Sequence, residues 1–333
     1  MHIFSSLDYS FLVNELARSL NGKHFNRMRK LGESIYRLKI GTSEIICELG
    51  IRIHFTKYIE PTEDDKFTEK LNKELDNAKL LSIEQINNDR IVAFQFDKGS
   101  LIFEMFGKGN AVLVRDGKTI CASTYESWSD REIKPGSPYQ PPKTAPSKNL
   151  EVSDKYIIVS LMRLPLGKEY ALEALARCGI DEKTPGNSLS GNKILALEQE
   201  IKHIREQAKP YAFYEKEKMV DFSLAKLRKY QNTQSFETRG FASLSEVADE
   251  YYAHLEKSNP KLEKLLDRLE KQKERMHILL EEEKTYREKG DLIYADYQKI
   301  EEILVMAKAG KFDELEKKGA KIDKKEKSVE LEI

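Results

Sequence analysis

The chain has 333 residues, 40% hydrophobic and 34% charged, which allows two or three domains with their own cores and excludes wholesale disorder. Lys plus Arg and Asp plus Glu both number 56, so a nucleic-acid role has to rest on a local basic face and not on net charge. Cys47, Cys121 and Cys178 are dispersed and lack metal-ligand spacing, no apolar run approaches the ~18 residues of a membrane span, and no basic-then-apolar leader opens the chain; a cytoplasmic protein with free thiols is expected.

Residues 8–21 predict a helix. Leu12, Leu16 and Leu20 recur every four residues, Phe11 and Val13 widen the stripe, and Gly22 suits a left-handed cap. Short alternating runs follow: SIYRLKI, SEIICELGIRIHFTKY, LLSIEQI, RIVAFQF, SLIFEMFG, NAVLVRD and KTICAS. Gly41-Thr42, Asn87-Asn88, Lys98-Gly99, Gly107 to Asn110 and Asp116-Gly117 separate them as turns, which predicts an antiparallel sandwich or barrel-like sheet. PTEDDKFTEKLNKELDNAK interrupts the strands with a short helix, capped after Pro61-Thr62 and carrying Phe67, Leu71 and Leu75 on one face. KPGSPYQPPKTAPSKN holds five prolines in sixteen residues, so it is a linker or an ordered extended segment.

Residues 154 to about 235 read as helical, broken at Pro165, Pro185-Gly186 and Pro210. A third section begins at Phe236 and is helical from Ser243. There Leu262, Leu266, Leu269, Lys273, Met276 and Leu280 advance in steps of four and three, a coiled-coil seam that Lys273 interrupts. The final SVELEI alternates as a strand with nothing to pair with. The expected class is α+β, with an antiparallel sheet domain and N-terminal helix over 1–145 and a helical domain over 150–236. The outgoing half of a coiled-coil arm follows over 243–325, and the start of a further region over 326–333.

Each chemical motif has a plain structural reading beside it. Asp89-Arg90 lies in a turn, where Asp commonly caps its own backbone; alternatively, the guanidinium fork takes a phosphate or base edge while the carboxylate orients it. Asp8 suits the first turn of a helix, where the macrodipole favours a carboxylate. LPLGKEYALEALARCGI, residues 164–180, reads as a helix-hairpin-helix half-motif, with Gly167 turning backbone N–H groups and Lys168 toward phosphate, or as an ordinary helix start after Pro165. Gly107 to Asn110 is a hairpin turn or a phosphate-cradling nest, with Lys108 as its basic contact. Arg52 is a strand arginine. Lys23, His24, Arg27, Arg29 and Lys30 form the densest basic cluster of the globular part, a solvated loop or an electrostatic footprint for RNA. GxSxG, HExxH, Walker A and CxxC patterns are absent, so neither a catalytic centre nor a cofactor is expected.

Six segments in order resemble the NFACT family: LDYSFLVNEL, ELGIRIHFTKY, QINNDRIVAFQF, EMFGKGNAVLV, PGSPYQPP and, far downstream, KGDLIYADYQKIEEIL. The family includes the RqcH-type ribosome quality-control factors and the fibronectin-binding A-like proteins. The resemblance implies a sheet domain shaped like that of the formamidopyrimidine-type DNA glycosylases, followed by a helix-hairpin-helix domain. It also implies binding to the large ribosomal subunit with a stranded peptidyl-tRNA, and recruitment of aminoacyl-tRNA for mRNA-independent tailing, with the ribosome making the peptide bonds. Asp8, Asp89 and Arg90 then become tRNA-binding residues that converge on one surface, and Lys23, Arg27, Arg52, Lys108, Gly167 and Lys168 become RNA or phosphate contacts. A DNA-binding or glycosylase-like module is the first alternative, although the chain begins Met1-His2-Ile3 without the N-terminal proline nucleophile. An adhesion scaffold is the second. In the family a strand like SVELEI leads to a return helix and an RNA-binding domain, both absent here, so an N-terminal fragment is expected. Its uncovered seam predicts a weak homodimer.

Overall fold

The computed structural model describes residues 2–59, 61–142, 146–147, 149–231, 235–257, 260–317, 321–323 and 328–330. It falls into two units, Met1–Lys257 and Ser258–Ile333. The first opens with helix α1 (Ser6–Leu20), whose Ser5 cap and Asp8 exchange hydrogen bonds in a capping box, satisfying N–H groups that a helix start leaves unpaired. Leu12, Leu16 and Leu20 are fully buried, and Gly22 follows with φ +81°.

Strands β1 (Phe25–Lys30), β2 (Ile35–Ile40), β3 (Ser43–Glu48) and β4 (Arg52–Phe55) form an antiparallel meander. Helix α2 (Lys66–Glu74) buries Phe67 and Leu71; its cap is Asp65, bonded reciprocally to Thr68, and not the Pro61-Thr62 pair. A second antiparallel meander contains β5 (Leu80–Gln85), β6 (Ile91–Phe96), β7 (Gly99–Glu104), β8 (Asn110–Arg115) and β9 (Lys118–Ala122). Leu38, Ile45, Phe94, Phe103 and Leu113 share one core with α1, as the expected sandwich requires. The opposite face of the second sheet is covered too: Ile91, Ala93, Ile102 and Val112 pack with Ile133. This cover holds the small ladder of β10 (Glu126–Ser127) and β11 (Glu132–Ile133). It is held by Arg131, which donates to both oxygens of buried Glu104 at 2.5 and 2.9 Å. The proline-rich stretch up to residue 142 is therefore ordered and extended, with the Tyr139 N–H bonded to the Gly117 carbonyl; residues 143–145 and 148 lie outside the described residues.

The next part is less helical than its sequence suggests. Helices α3 (Ile157–Leu161), α4 (Lys168–Cys178) and α5 (Gly191–Glu206) come first. A three-stranded antiparallel sheet follows, made of β12 (Tyr211–Glu215), β13 (Lys218–Ser223) and β14 (Phe236–Gly240), with the one-turn helix α6 (Arg228–Gln231) before β14. Phe236 thus belongs to this sheet and does not open a new section. Helix α7 (Leu244–Lys257), expected in the arm, belongs to the first unit. Glu15 of α1 accepts from the Leu244 and Ser245 N–H groups, and Asp249 accepts from the Lys57 N–H.

The second unit holds α8 (Pro260–Ala295), α9 (Tyr297–Lys308), α10 (Phe312–Lys317) and a hairpin of β15 (Lys321–Asp323) with β16 (Ser328–Glu330). The strand expected to lack a partner has one: Ile322 faces Val329. Helix α8 runs 36 residues, about 54 Å. Leu269, Met276 and Leu280 are 48%, 59% and 56% exposed, and among the described residues of this unit no helix runs alongside them. The side chains of Leu262 and Leu266 lie outside the described residues. No helix among the described residues is long and apolar enough to cross a membrane.

Candidate functional site

Asn87 and Asn88 both adopt left-handed backbone, φ +55° and +53°, which turns the chain sharply from β5 into β6. The Asp89 carboxylate accepts from the Arg90 N–H at 2.7 Å, so it caps its own turn and does not orient the guanidinium. The Gln85 side-chain amide donates to the Ser6 and Asp89 carbonyls at 2.8 and 2.9 Å, fixing this turn against the start of α1. The Arg90 side chain has no hydrogen-bond or ion-pair partner among the described residues.

A second turn, Met162–Gly167, joins α3 to α4 and meets the same place. Gly167 (φ +102°) caps α4 without a side-chain bond, so the N–H groups of that helix start have no side-chain acceptor. A Cβ at Gly167 would lie 2.4 Å from Ser5 Cβ, so only glycine permits this approach. Ser5, Ser6, Asp89, Arg90, Phe106, Arg163, Gly167 and Lys168 accordingly line one cleft of about 870 Å3, with Ile3, Met162 and Glu151. Three cations, Arg90, Arg163 and Lys168, face two carboxylates there, and no ion pair joins them among the described residues.

Asp8 is not in that lining. It is fully buried and beneath the cleft floor: Ser5 N–H and Ser5 hydroxyl each donate to its Oδ2 at 2.7 Å, and the Tyr170 hydroxyl donates to its Oδ1. Tyr170 in turn accepts from the Leu224 N–H at 3.0 Å. Burial, then the Asp8 carboxylate, push the Tyr170 phenol well above its usual range. A single surface shared by Asp8, Asp89 and Arg90 is therefore corrected: Asp8 holds the scaffold and Arg90 reaches the cleft.

The remaining candidates separate by environment. Arg52 is 3% exposed, paired with Glu48 at 2.8 Å and stacked 3.8 Å from the Tyr252 ring centroid, which is a packing role and excludes a surface contact. Arg27 lies in β1 and pairs with Asp64 at 2.6 Å, Lys30 with Asp65 at 3.4 Å, and Arg29 donates to Thr62; strand pairing, not a loop, carries this cluster. Among the described residues the Lys23 ammonium meets the Ser43 hydroxyl, at 3.5 Å. Lys108 is exposed on its hairpin, which packs so tightly on the β3–β4 turn that a Cβ at Gly109 would lie 2.3 Å from the Gly50 nitrogen. That approach explains Gly109 without a ligand, and the left-handed backbone of the turn (φ +62°) explains Gly107.

Sequence reasoning missed Arg163, Ser5 and His2. Arg163 sits in an otherwise apolar LMRLPL stretch and only its place in the cleft marks it. The His2 ring packs 4.1 Å from Phe222 and its Nδ1 lies 3.1 Å from Asp221. No group of His, Cys, Asp and Glu suited to a metal ion occurs among the described residues.

A family profile described as NFACT N-terminal and middle domains matches residues 6–323. The archaeal Rqc2 homolog aRqcH of Methanocaldococcus jannaschii is 31% identical over 347 residues, covering 90% of this chain and 51% of that protein. Ribosome quality control complex subunit 2 of Saccharomyces cerevisiae is 30% identical over 129 residues, 35% of this chain and 12% of the yeast protein. The chain thus spans about half the length of the archaeal relative, and less of the yeast one. Among solved structures, the fibrinogen binding protein from Staphylococcus aureus has a TM-score of 0.58 at 18% identity, over 74% of this chain and 98% of that one. The N-terminal part of the fibronectin/fibrinogen-binding protein from Streptococcus suis has 0.52 at 23% identity, over 75% and 99%. These two likenesses speak to fold alone. With nearly its whole length matched, the chain belongs to the NFACT family.

Proposed function

We propose that this chain is the N-terminal and middle part of a ribosome-associated quality-control factor whose cleft holds tRNA. The carrying observation is the convergence of Arg90, Arg163 and Lys168, all without acidic partners among the described residues, on the uncapped start of α4. Unpaired cations beside free helix N–H groups suit phosphate oxygens. The relatives named as ribosome quality control subunits supply the setting. In this reading the factor works in the cytoplasm, engages the large subunit with peptidyl-tRNA and brings in aminoacyl-tRNA for tailing. It positions substrates and makes no bond itself. The α3–turn–α4 unit serves as the phosphate-binding hairpin. The exposed Leu269, Met276 and Leu280 stripe of α8 favours a weak self-association that sedimentation at several concentrations would detect.

Sequencing the RNA that copurifies from native cells tests the proposal. Enrichment of tRNA and large-subunit RNA is expected. RNA no different from that of a mock purification would overturn the reading, and enrichment of DNA fragments instead would favour the glycosylase-like alternative.

A further inference from the structure

We propose that His2 is a positioning residue of the cleft: as an imidazolium between Asp8 and Asp221, it clasps the start of α1 to β13. The proposal concerns the same site and takes its functional meaning from the tRNA reading. Its geometry stands on several contacts. His2 Nδ1 is 3.1 Å from Asp221 Oδ1 and Nε2 is 3.7 Å from Asp8 Oδ2, the second distance being ionic and too long for a hydrogen bond. The His2 N–H donates to the Tyr251 hydroxyl at 3.1 Å, and the His2 carbonyl accepts from Tyr252 at 2.6 Å. Main chain and ring are thus both fixed, by α7 on one side and by the two carboxylates on the other.

The charges continue outward from there. Asp221 Oδ2 meets Lys229 of α6 at 3.3 Å, and Lys229 meets Glu169 of α4 at 2.6 Å. Asp8, His2, Asp221, Lys229 and Glu169 therefore alternate in sign from the first turn of α1 to the first turn of α4. Those are the two helix starts that line the cleft. The other groups facing the clasp are Tyr230, which donates to Asp221, Tyr170 on Asp8, and Tyr251 and Tyr252. His54 stacks on the far side of Phe4 and Tyr252. Burial and the neighbouring Arg52 hold it neutral, near pKa 3. Burial alone would lower the His2 pKa, but Asp221 and Asp8 outweigh it and raise the ring to about 9. A buried Asp8 and a largely covered Asp221 with no cation between them would repel each other and strain both walls.

The test uses the full chain. Ring titration by NMR, with His2→Gln assigning the signal, should show His2 deprotonating near pH 9, and Asp221→Asn should lower that midpoint. At pH 7, His2→Gln should speed hydrogen–deuterium exchange in residues 2–9 and in 164–171 together. Affinity for tRNA should fall about fivefold. If His2→Gln does not fold, Asp221→Asn carries the exchange and affinity measurements. A ring that titrates near its ordinary ~6.5, or unchanged exchange in both segments, overturns the clasp. Unchanged tRNA affinity despite faster exchange overturns its positioning role. If the wild type binds no tRNA, the functional reading falls, while titration and exchange still decide the clasp.

Discussion

Two groups of cations in the first unit meet opposite surroundings. On β1, Arg27 and Lys30 lie against Asp64 and Asp65, and Arg29 against Thr62. In the cleft, Arg90, Arg163 and Lys168 have no carboxylate at ion-pair distance among the described residues. Along the sequence the β1 group is the denser, yet its charge is already matched by the segment that precedes α2. Binding capacity follows from unmatched charge held at a fixed place, and chain-wide neutrality conceals it.

The contrast reaches inward, where the largest effect is expected. Asp8→Ala removes the acceptor of Ser5 and Tyr170 and one partner of His2, so it should destabilise the first unit by about 3–5 kcal/mol in urea denaturation. A loss of RNA affinity with stability intact would instead make Asp8 a binding residue. Next in size is a pH effect. The His2 pKa is raised in the folded chain to about 9, so its stabilisation is fully present below ~6.5 and lost as pH rises through 9. The wild type should lose about 3 kcal/mol across that window and His2→Gln far less, by chemical denaturation at several pH values. Arg90→Ala should weaken tRNA binding by about 1–3 kcal/mol and leave stability unchanged. Lys168→Ala should cost less and reduce the slope of log affinity against log salt by ~0.7–0.9. Arg27→Ala, which loses an existing pair, should change affinity by less than about 0.5 kcal/mol.

The sequence was legible where turn chemistry announced itself. Gly41 in the first meander, and Asn87-Asn88 and Asp116-Gly117 in the second, take the left-handed backbone that hairpins demand, so both meanders could be read. The β12–β13 hairpin could not, because Lys216 and Glu217 occupy its left-handed turn (φ +47° and +67°). Neither residue type signals a turn, and tertiary packing overrides their preference. The β15–β16 pairing was hidden by the shortness of Lys321–Asp323. For the site, the sequence singled out Asp89-Arg90 as one motif and Gly167-Lys168 as another, and the fold brings the two to one cleft, a meeting that no local spacing announces. Burial, which no local pattern encodes, moved Asp8 and Arg52 inside. It also brought in His2, whose carboxylate partners lie 6 and 219 residues away along the chain.

The central claim is that unmatched cations, not dense ones, make the RNA site. Fluorescence anisotropy with one labelled tRNA, comparing wild type, Arg90→Ala and Arg27→Ala at two salt concentrations, tests it most directly. The account predicts that Arg90→Ala loses at least about fivefold in affinity at both, while Arg27→Ala follows the wild-type curve. Equal affinity of Arg90→Ala and wild type, or a larger loss in Arg27→Ala, would contradict it.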